Sequence, residues 1–326
     1  MQAVDVSADA LAVPDLDAIR SAQVRIAAHV HRTPVLRCRS LDAEVGAELY
    51  FKAENVQRTG AFKARGASNA VFSLSSDEAR RGVVTHSSGN HGAALAYAAQ
   101  RRGIPAFVVM PENAARVKQD NVRRRNGTIR FCAANVEARE AACAAVRRET
   151  GATLIHPFDD PRVIAGQGTA VLELLEESPG LDAVVAPVGG GGLLSGTAIA
   201  VKSIDRSVRV YGAEPVNADD AARGFRSGKV EPLPAATTIA DGLRTTLSPR
   251  TLGAIRAHVD AIGTASEEAI VRAMRMVWER MKIVIEPSAA VPLACLLEKT
   301  VDARGMRVGI ILSGGNVDLD RLPWQA

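Results

Sequence analysis

The 326-residue sequence predicts an α/β protein with two doubly wound domains and mainly parallel sheets. Short Val- and Ile-rich runs alternate along the chain with longer amphipathic stretches, a pattern that requires right-handed crossovers between parallel strands. Runs rich in glycine, serine or asparagine directly follow three of the apolar runs, after Val84, Val188 and Leu312. Ligands of such sheets bind at the carboxyl ends of strands, so these turns indicate one common binding site.

Each element follows from this alternation. The apolar runs predict strands over residues 48–52, 82–86, 106–110, 128–132, 153–156, 183–187, 208–213 and 307–312. The amphipathic stretches predict helices over residues 15–31, 91–102, 136–150, 161–177, 193–203 and 267–281. The length permits two domains.

Composition excludes several classes of function. The chain is 47% hydrophobic and 23% charged, which is ordinary for a soluble protein. Its net charge of +4 comes from dispersed basic pairs, and aromatic residues make up only 4%. A nucleic-acid partner is therefore not expected.

Cellular context also follows from the sequence. The four cysteines, Cys38, Cys132, Cys143 and Cys295, form no Cys-x-x-Cys pair, which argues against a disulfide framework or a zinc site and favours a reducing compartment. The N-terminal segment has neither the basic flank nor the apolar core of a signal peptide, and no run is long enough to span a membrane. We therefore expect a cytoplasmic protein without a membrane partner.

A run of four glycines is the first chemical feature. Gly189, Gly190, Gly191 and Gly192 follow the apolar run 183–188 and precede a predicted helix. Successive glycines let backbone N–H groups converge on an anion at a helix N-terminus. A tight structural turn is the plain alternative. The dinucleotide fingerprint lacks its third glycine here, and no nucleotide P-loop sequence is present.

Lys63 is the second feature. It follows Phe62 and lies between Gly60 and Gly66. A lysine held between an aromatic ring and small residues can be desolvated, which lowers its pKa and lets it form a Schiff base. Taken alone, the same sequence is typical of a surface lysine. With the glycine run as a phosphate cradle and Ser313 at a polar strand end, it predicts a cofactor with an aldehyde and a phosphate, namely pyridoxal 5'-phosphate.

The motifs around these residues resemble one enzyme family. The resemblance is carried by TGAFKARGA at 59–67, VVTHSSGNHG at 83–92, IAGQGT at 164–169, PVGGGG at 187–192, AEPVNADD at 213–220, TIADG at 238–242, VWERMK at 277–282 and LSGGNVD at 312–318. In this order they resemble the serine racemase and serine/threonine dehydratase family, of pyridoxal-phosphate fold type II. The resemblance covers the chain from about residue 15 to 320.

The resemblance implies a role for each matching residue. Lys63 would hold the cofactor covalently and later shuttle the α-proton. Phe62 and Gly242 would lie against the two ring faces, and Ser313 would face the pyridine nitrogen. The remaining assignments are the phosphate to Gly189, Gly190, Gly191 and Gly192, the ring 3-oxygen to Asn90, the substrate carboxylate to Ser87, Asn90 and His91, the substrate β-hydroxyl to Thr245, and a divalent cation (Mg²⁺, Ca²⁺ or Mn²⁺) to Glu214, Asp220 and the Ala218 carbonyl.

Two of these positions bear on the reaction. A serine hydroxyl protonates the pyridine nitrogen less firmly than an aspartate would, so Ser313 favours loss of a β-hydroxyl over transamination. Ser88 would lie across the ring from Lys63, where family racemases use a serine as the second acid/base. Phe158 stands where animal serine racemases carry asparagine, which favours elimination.

The resemblance therefore implies a dehydratase acting on a β-hydroxy-α-amino acid, with serine and threonine as the default substrates and 3-hydroxyaspartate and bulkier analogues also open. The alternative within the family is an amino-acid racemase that uses Lys63 and Ser88. A nucleotide- or effector-binding protein would leave Lys63 and Ser313 unexplained, and a cysteine-synthase-like enzyme would not need the Glu214/Asp220 pair. The expected domains are residues 1–79 with 159–326 and an inserted small domain at 80–158, in a homodimer.

Overall fold

The structure is a computed structural model that describes residues 11–87, 89–112, 114, 116–233 and 236–325. Its strands are β1 Val35–Leu36, β2 Glu48–Lys52, β3 Val83–His86, β4 Ala106–Pro111, β5 Thr128–Cys132, β6 Thr153–Leu154, β7 Ala183–Pro187, β8 Arg209–Pro215, β9 Ala261–Ala265 and β10 Arg307–Ile311. Its α-helices are α1 Leu16–Ile26, α2 Arg39–Val45, α3 Lys63–Phe72, α4 Ser76–Arg81, α5 Asn90–Arg102, α6 Arg116–Arg123, α7 Val136–Thr150, α8 Pro161–Glu177, α9 Gly192–Ile204, α10 Asp220–Ser227, α11 Pro249–His258, α12 Glu267–Met281 and α13 Pro287–Leu297.

The strands form two sheets. The larger has the order β1-β2-β10-β7-β8-β9 and is parallel except for the pairing of β1 with β2. The smaller has the order β5-β4-β3-β6 and is parallel throughout. Helices cover both faces, so the predicted fold class is confirmed. The smaller sheet lies within the expected small domain, whose boundaries at 80 and 158 stay a prediction.

The larger sheet is buried on both faces, which explains why its central strands are continuous apolar runs. Val184 and Val185 are adjacent in β7 but belong to different core clusters, because successive side chains point to opposite faces. One cluster contains side chains of α12 and α13, and the other contains side chains of α8, α9 and α11. Within the described ranges, no helix is both long and apolar enough to cross a membrane.

Several elements differ from the sequence prediction. The helix expected over 15–31 ends at Ile26, and beyond it the backbone N–H and C=O of His31 pair with the Gln57 side chain. The short strands β1 and β9 were not predicted, because β1 has only two residues and β9 contains alanine and glycine. Helix α3 was also missed, since its first residues are the Lys63 motif rather than an amphipathic repeat.

Candidate active site

Lys63 is the first residue of α3. The turn before it is held to the end of β10 by a hydrogen bond from the Phe62 backbone N–H to the Ser313 carbonyl oxygen at 3.0 Å, and by a β-bridge between Ala61 and Gly314. Thr59 and Gly60, at the start of this turn, have φ values of 62° and 75°. A positive φ is ordinary for glycine but rare for a β-branched residue, so the backbone of the turn is strained at Thr59.

The Lys63 amine contacts a backbone carbonyl group and lies near an aromatic ring. Its Nζ donates a hydrogen bond to the Pro157 carbonyl oxygen at 2.8 Å and lies 5.1 Å from the centre of the Phe62 ring. Burial lowers the pKa of this amine to about 8, against the opposing charge of Glu286. A pKa near 8 leaves a useful neutral fraction at physiological pH, which a nucleophilic lysine needs.

The glycine run forms a tight turn against Phe158, the residue that follows the Pro157 carbonyl bonded to Lys63. A Cβ on Gly190 would lie 2.3 Å from the Phe158 ring, and Gly191 has a φ of 85°. Helix α9 begins at Gly192, and its N-cap, Gly191, makes no side-chain capping bond. The first N–H groups of a helix have no partner within the helix, so this turn offers donors to an anion.

The loop at 242–245 closes the other side of the turn. A Cβ on Gly189 would lie 2.9 Å from Leu243 Cα and 3.2 Å from Thr245 Oγ1. The Gly242 N–H donates to Ser288 Oγ at 3.1 Å, which ties this loop to the start of α13. The structure therefore places Thr245 next to the glycine run and Gly242 next to Ser288.

Asn90 meets a carboxylate that the sequence analysis did not single out. Its Nδ2 lies 2.9 and 3.1 Å from the two carboxylate oxygens of Glu286, and its Oδ1 accepts a hydrogen bond from Asn316 Nδ2 at 2.9 Å. Glu286 is 4% exposed. The only signal in the sequence was an acidic residue between the apolar pair at 284–285 and the Pro-Ser start of a helix.

Three histidines near one another, two of them close to Lys63, have lowered pKa values. Burial lowers the pKa of His91 well below its usual value, with the Lys63 charge acting in the same direction. Burial also lowers the pKa of His156 to about 4, and burial followed by the Arg139 charge lowers the pKa of His86. His91 Nε2 lies 3.3 Å from the Ile155 carbonyl oxygen, while its Nδ1 is buried without a partner among the described residues.

The loop between β3 and α5 holds the other predicted substrate contacts. Ser87 Oγ accepts a hydrogen bond from the Gly89 N–H at 3.3 Å, and Asn90 and His91 are the first residues of α5. Ser88, the predicted second acid/base, lies outside the described residues.

The predicted cation ligands lie on consecutive elements: Glu214 is in β8, Ala218 is in the short turn after it, and Asp220 is the first residue of α10. Glu214 accepts hydrogen bonds from the N–H groups of Ala221 at 3.0 Å and Ala222 at 2.9 Å. Both Asp220 oxygens are buried without a hydrogen-bond partner among the described residues. Burial raises the pKa of Glu214 to about 9 and that of Asp220 to about 6, the latter despite nearby backbone amides of Asp220 and Leu247. Two buried carboxylates of this kind suit a hard cation.

Comparison with known proteins identifies the family. Residues 26–314 match the family described as pyridoxal-phosphate dependent enzyme. The chain belongs to this family. Its cofactor is accordingly pyridoxal phosphate, and the half-buried lysine, the glycine turn and the polar end of β10 fit that group.

Close relatives carry two different activities in their names. The chain is 49% identical over 312 residues to the β-hydroxyaspartate dehydratase of Paracoccus denitrificans, covering 96% of this chain and 99% of that protein. It is 50% identical over 317 residues to the serine racemase of Oryza sativa subsp. indica, covering 96% and 93%. The crystal structure of serine racemase from Dictyostelium discoideum superimposes with a TM-score of 0.91 at 48% identity, covering 94% of this chain and 100% of that one.

Proposed function

We propose that the protein is a pyridoxal-phosphate-dependent lyase that removes water from a β-hydroxy-α-amino acid and yields a 2-oxo acid and ammonia. The observation that carries this proposal is the position of Ser313 directly beside the Lys63 turn, through the Phe62 N–H to Ser313 carbonyl bond of 3.0 Å. A serine at the pyridine nitrogen favours elimination of a β-hydroxyl over transamination. The dehydratase relative supports the same reaction.

The cofactor has a complete set of candidate partners. Lys63 would bind it covalently, Phe62 and Gly242 would flank its ring, Asn90 would contact its 3-oxygen, and Gly189, Gly190, Gly191 and Gly192 would hold its phosphate. Bound there, pyridoxal phosphate supplies the electron sink that takes up charge when the Cα–H bond of the substrate breaks.

Lys63 is the proposed acid/base. With a pKa of about 8, its free amine can accept the Cα proton at neutral pH. The β-hydroxyl then leaves and takes up a proton, which gives water and an enamine. Hydrolysis of the enamine consumes one water and releases the 2-oxo acid and ammonia, so the net reaction converts substrate to these two products without an oxidant.

The start of α5 is the proposed carboxylate site. Ser87, Asn90 and His91 lie at its N-terminus, where the partial positive charge of a helix favours an anion. His91 is neutral there and can serve as a hydrogen-bonding partner rather than as a charge. Thr245, at the glycine run, is the proposed contact to the substrate β-hydroxyl.

We propose 3-hydroxyaspartate as the preferred substrate. Its second carboxylate needs a cation, and Arg139 on α7 lies close enough to His86 for its charge to lower the pKa of that imidazole. His86 is the last residue of β3 and directly precedes Ser87. Arg139 is therefore our candidate for that cation, and the dehydratase relative acts on that class of substrate by name.

Three further properties complete the proposal. Glu214, Asp220 and the Ala218 carbonyl would bind a divalent cation, which would neutralise two buried carboxylates. Residues 80–158 would form the small domain of a homodimer. A cytoplasmic location agrees with the four cysteines, which are all free thiols.

The decisive experiment measures 2-oxo acid release from L- and D-serine, L-threonine, the 3-hydroxyaspartate isomers and phenylserine, with Mg²⁺ and again with chelator. In parallel, borohydride reduction of the yellow protein followed by peptide mapping should label Lys63. Keto-acid release that borohydride abolishes would support the lyase. A colourless protein that cannot be reconstituted with the cofactor would overturn the proposal.

A serine racemase is the second candidate, because several relatives with that name are 44–50% identical to this chain. Replacing Ser88 with alanine separates the two activities. Racemisation should disappear in Ser88→Ala, whereas elimination from the L-substrate should survive. Loss of both would show that Ser88 serves more than the opposite face of the ring.

A further inference from the structure

Four buried charged side chains lie on or next to α3, the helix that begins with Lys63, and the mechanism above uses none of them. They are Lys52 at the end of β2, Glu54 just after it, Arg65 on α3 and Glu173 on α8. The first three are 0% exposed and Glu173 is 5% exposed. We call them the four-charge cluster; its two cations balance its two carboxylates.

Arg65 is the centre of the cluster. Its guanidinium contacts Glu54 through Nε and Nη2, both at 2.8 Å, and Glu173 through Nη1 and Nη2, both at 2.7 Å. Nη1 also donates to Thr169 Oγ1 at 3.2 Å, and Nη2 to the His31 carbonyl oxygen at 3.3 Å. Lys52 contacts Glu173 at 2.8 Å on the far side. Every N–H of the guanidinium therefore has a partner.

This arrangement fixes the orientation of the Arg65 side chain but adds little to the stability of the fold. Removing ions from water costs several kcal/mol per ion, so a buried ion pair stabilises a fold little more than apolar packing would. Two bidentate contacts nevertheless fix the plane of the guanidinium, which apolar packing does not do. The cluster is strongly electrostatic: despite its burial, hydrogen bonds and charge from Arg65 hold the pKa of Glu173 below its usual value.

The position of Arg65 can affect that of Lys63 because both residues are in the first turn of α3. Lys63 and Arg65 are two residues apart, which places their side chains on opposite sides of α3 at about 100° per residue. The helix start has no side-chain capping bond of its own. It is held on one side by the Phe62–Ser313 backbone bond and on the other by Arg65.

We infer that Arg65 is a positioning residue, and that the four-charge cluster sets the rotation of the first turn of α3 and with it the position of Lys63 Nζ. This inference rests on the proposed role of Lys63. A displacement of about 1 Å at a reacting group can lower the rate by about 10²-fold. The cluster would therefore control turnover without touching substrate or cofactor.

Three variants test the inference at increasing severity. Thr169→Val removes one hydrogen bond to Arg65, Arg65→Lys keeps the charge but loses the planar fork, and Arg65→Met with Glu54→Gln removes one cation and one carboxylate together. Ile270→Val, in the fully buried core on α12, serves as a control for general destabilisation. Each protein is measured for Tm, for kcat and KM, and, without cofactor, for the rate of Lys63 acetylation across pH.

We expect Arg65→Lys to lower kcat by about 10²-fold with KM changed less than about threefold, and to shift the pH midpoint of Lys63 acetylation. Thr169→Val should change kcat and the acetylation midpoint in the same direction as Arg65→Lys but by smaller amounts. The double variant should lower kcat at least as much as Arg65→Lys. Ile270→Val should leave kcat and the midpoint unchanged at a comparable loss of Tm. If Thr169→Val and every Arg65 variant recovered folded match that control, the inference is wrong.

The test also separates this inference from the proposed function. Wild-type protein is first reduced with borohydride and mapped. If the label is absent from Lys63, the proposed role of this lysine fails, while the acetylation midpoint of cofactor-free protein still reports whether Arg65 positions the amine. If the label is on Lys63 and the midpoint and kcat are insensitive to Arg65, only the positioning inference fails.

Discussion

The amide nitrogen of Asn90 lies 2.9 and 3.1 Å from the two carboxylate oxygens of Glu286, although the two residues are 196 positions apart in the chain. Glu286 thereby links the start of α5 to the start of α13. Its charge also acts on Lys63, where it opposes the effect of burial on the amine pKa. The Glu286 carboxylate thus contacts the proposed substrate loop and also raises the pKa of the proposed nucleophile.

Removing the Glu286 charge should make Lys63 easier to deprotonate. Because that charge raises the amine pKa, Glu286→Gln is expected to lower the midpoint of the Lys63 titration below its wild-type value. The measurement is the pH dependence of Lys63 acetylation in cofactor-free protein. Glu279→Gln, on the exposed face of α12, removes the same charge away from the site and should change nothing. An unchanged midpoint in Glu286→Gln would show that the carboxylate does not act on the amine.

The wild-type amine should capture the cofactor with a midpoint near pH 8. Burial lowers the Lys63 pKa from 10.5 to about 8, so the neutral, nucleophilic form predominates above pH 8 instead of above pH 10.5. Below pH 8 the rate of capture should fall about tenfold per pH unit, since each unit lowers the neutral fraction tenfold. Stopped-flow growth of the yellow absorbance checks this. A midpoint above pH 10 would mean that the amine is solvated.

Adding one methyl group to the glycine turn should disrupt cofactor binding. A Cβ on Gly190 would lie 2.3 Å from the Phe158 ring, so either the ring or the turn must move in Gly190→Ala. We expect cofactor affinity to fall at least about tenfold, equivalent to about 1.4 kcal/mol. The readout is cofactor binding by absorbance titration.

Two variants make this result interpretable. Gly253→Ala adds a methyl group to α11, where nothing lies within 4 Å of the new Cβ, and should bind the cofactor normally. Combining Gly190→Ala with Phe158→Ala restores the space and should recover part of the affinity relative to Gly190→Ala. If the double variant binds no better, the loss comes from the backbone of the turn and not from the ring.

A divalent cation should stabilise the fold through Glu214 and Asp220. Their raised pKa values mean that without a cation the folded protein resists ionising them, so its stability declines as the pH rises from about 4.5, the usual value for Glu, towards about 9, the folded value for Glu214. A bound cation should remove this decline. At 100 times its Kd it should add about 2.7 kcal/mol to the free energy of unfolding.

The check is Tm against pH, with Mg²⁺, Ca²⁺ or Mn²⁺ and with chelator. Asp220→Asn should abolish the response to the cation while leaving the chelated protein at least as stable as wild type at pH 8, because it replaces a buried carboxylate with a neutral amide. A Tm that responds equally to the cation in wild type and Asp220→Asn would place the ion elsewhere.

Arg139 should discriminate between substrates. If it binds the second carboxylate of 3-hydroxyaspartate, Arg139→Gln should lower kcat/KM for that substrate by about 10²-fold, since a charge-assisted contact contributes about 1.5–3 kcal/mol. Serine, which lacks this group, should be affected less than about threefold. Arg147→Gln, an exposed change in the last turn of the same helix, is the control. Equal losses for both substrates would exclude a selective role.

Short-range patterns in the sequence were sufficient for the fold class. The strands β2, β5 and β7 have the predicted bounds, as do α7, α8 and α12, because each carries either a short apolar run or a periodic apolar pattern next to a cap or turn residue. The glycine run was also recognisable, since four successive glycines reflect a backbone requirement that a single sequence displays directly. The elements missed, such as β1 and α3, are short or take their conformation from contacts made elsewhere.

The way in which these local features come together depends on contacts between distant parts of the chain. The α/β class, the lysine candidate and the glycine turn could be inferred beforehand, since these depend on residues close together in the sequence. The sequence could not place Pro157 at the Lys63 amine, Glu286 at Asn90, or Glu173 at Arg65, which are 94, 196 and 108 positions apart. Those contacts arise when separate helices and strands pack together, and burial at that point sets the charges and pKa values of the site.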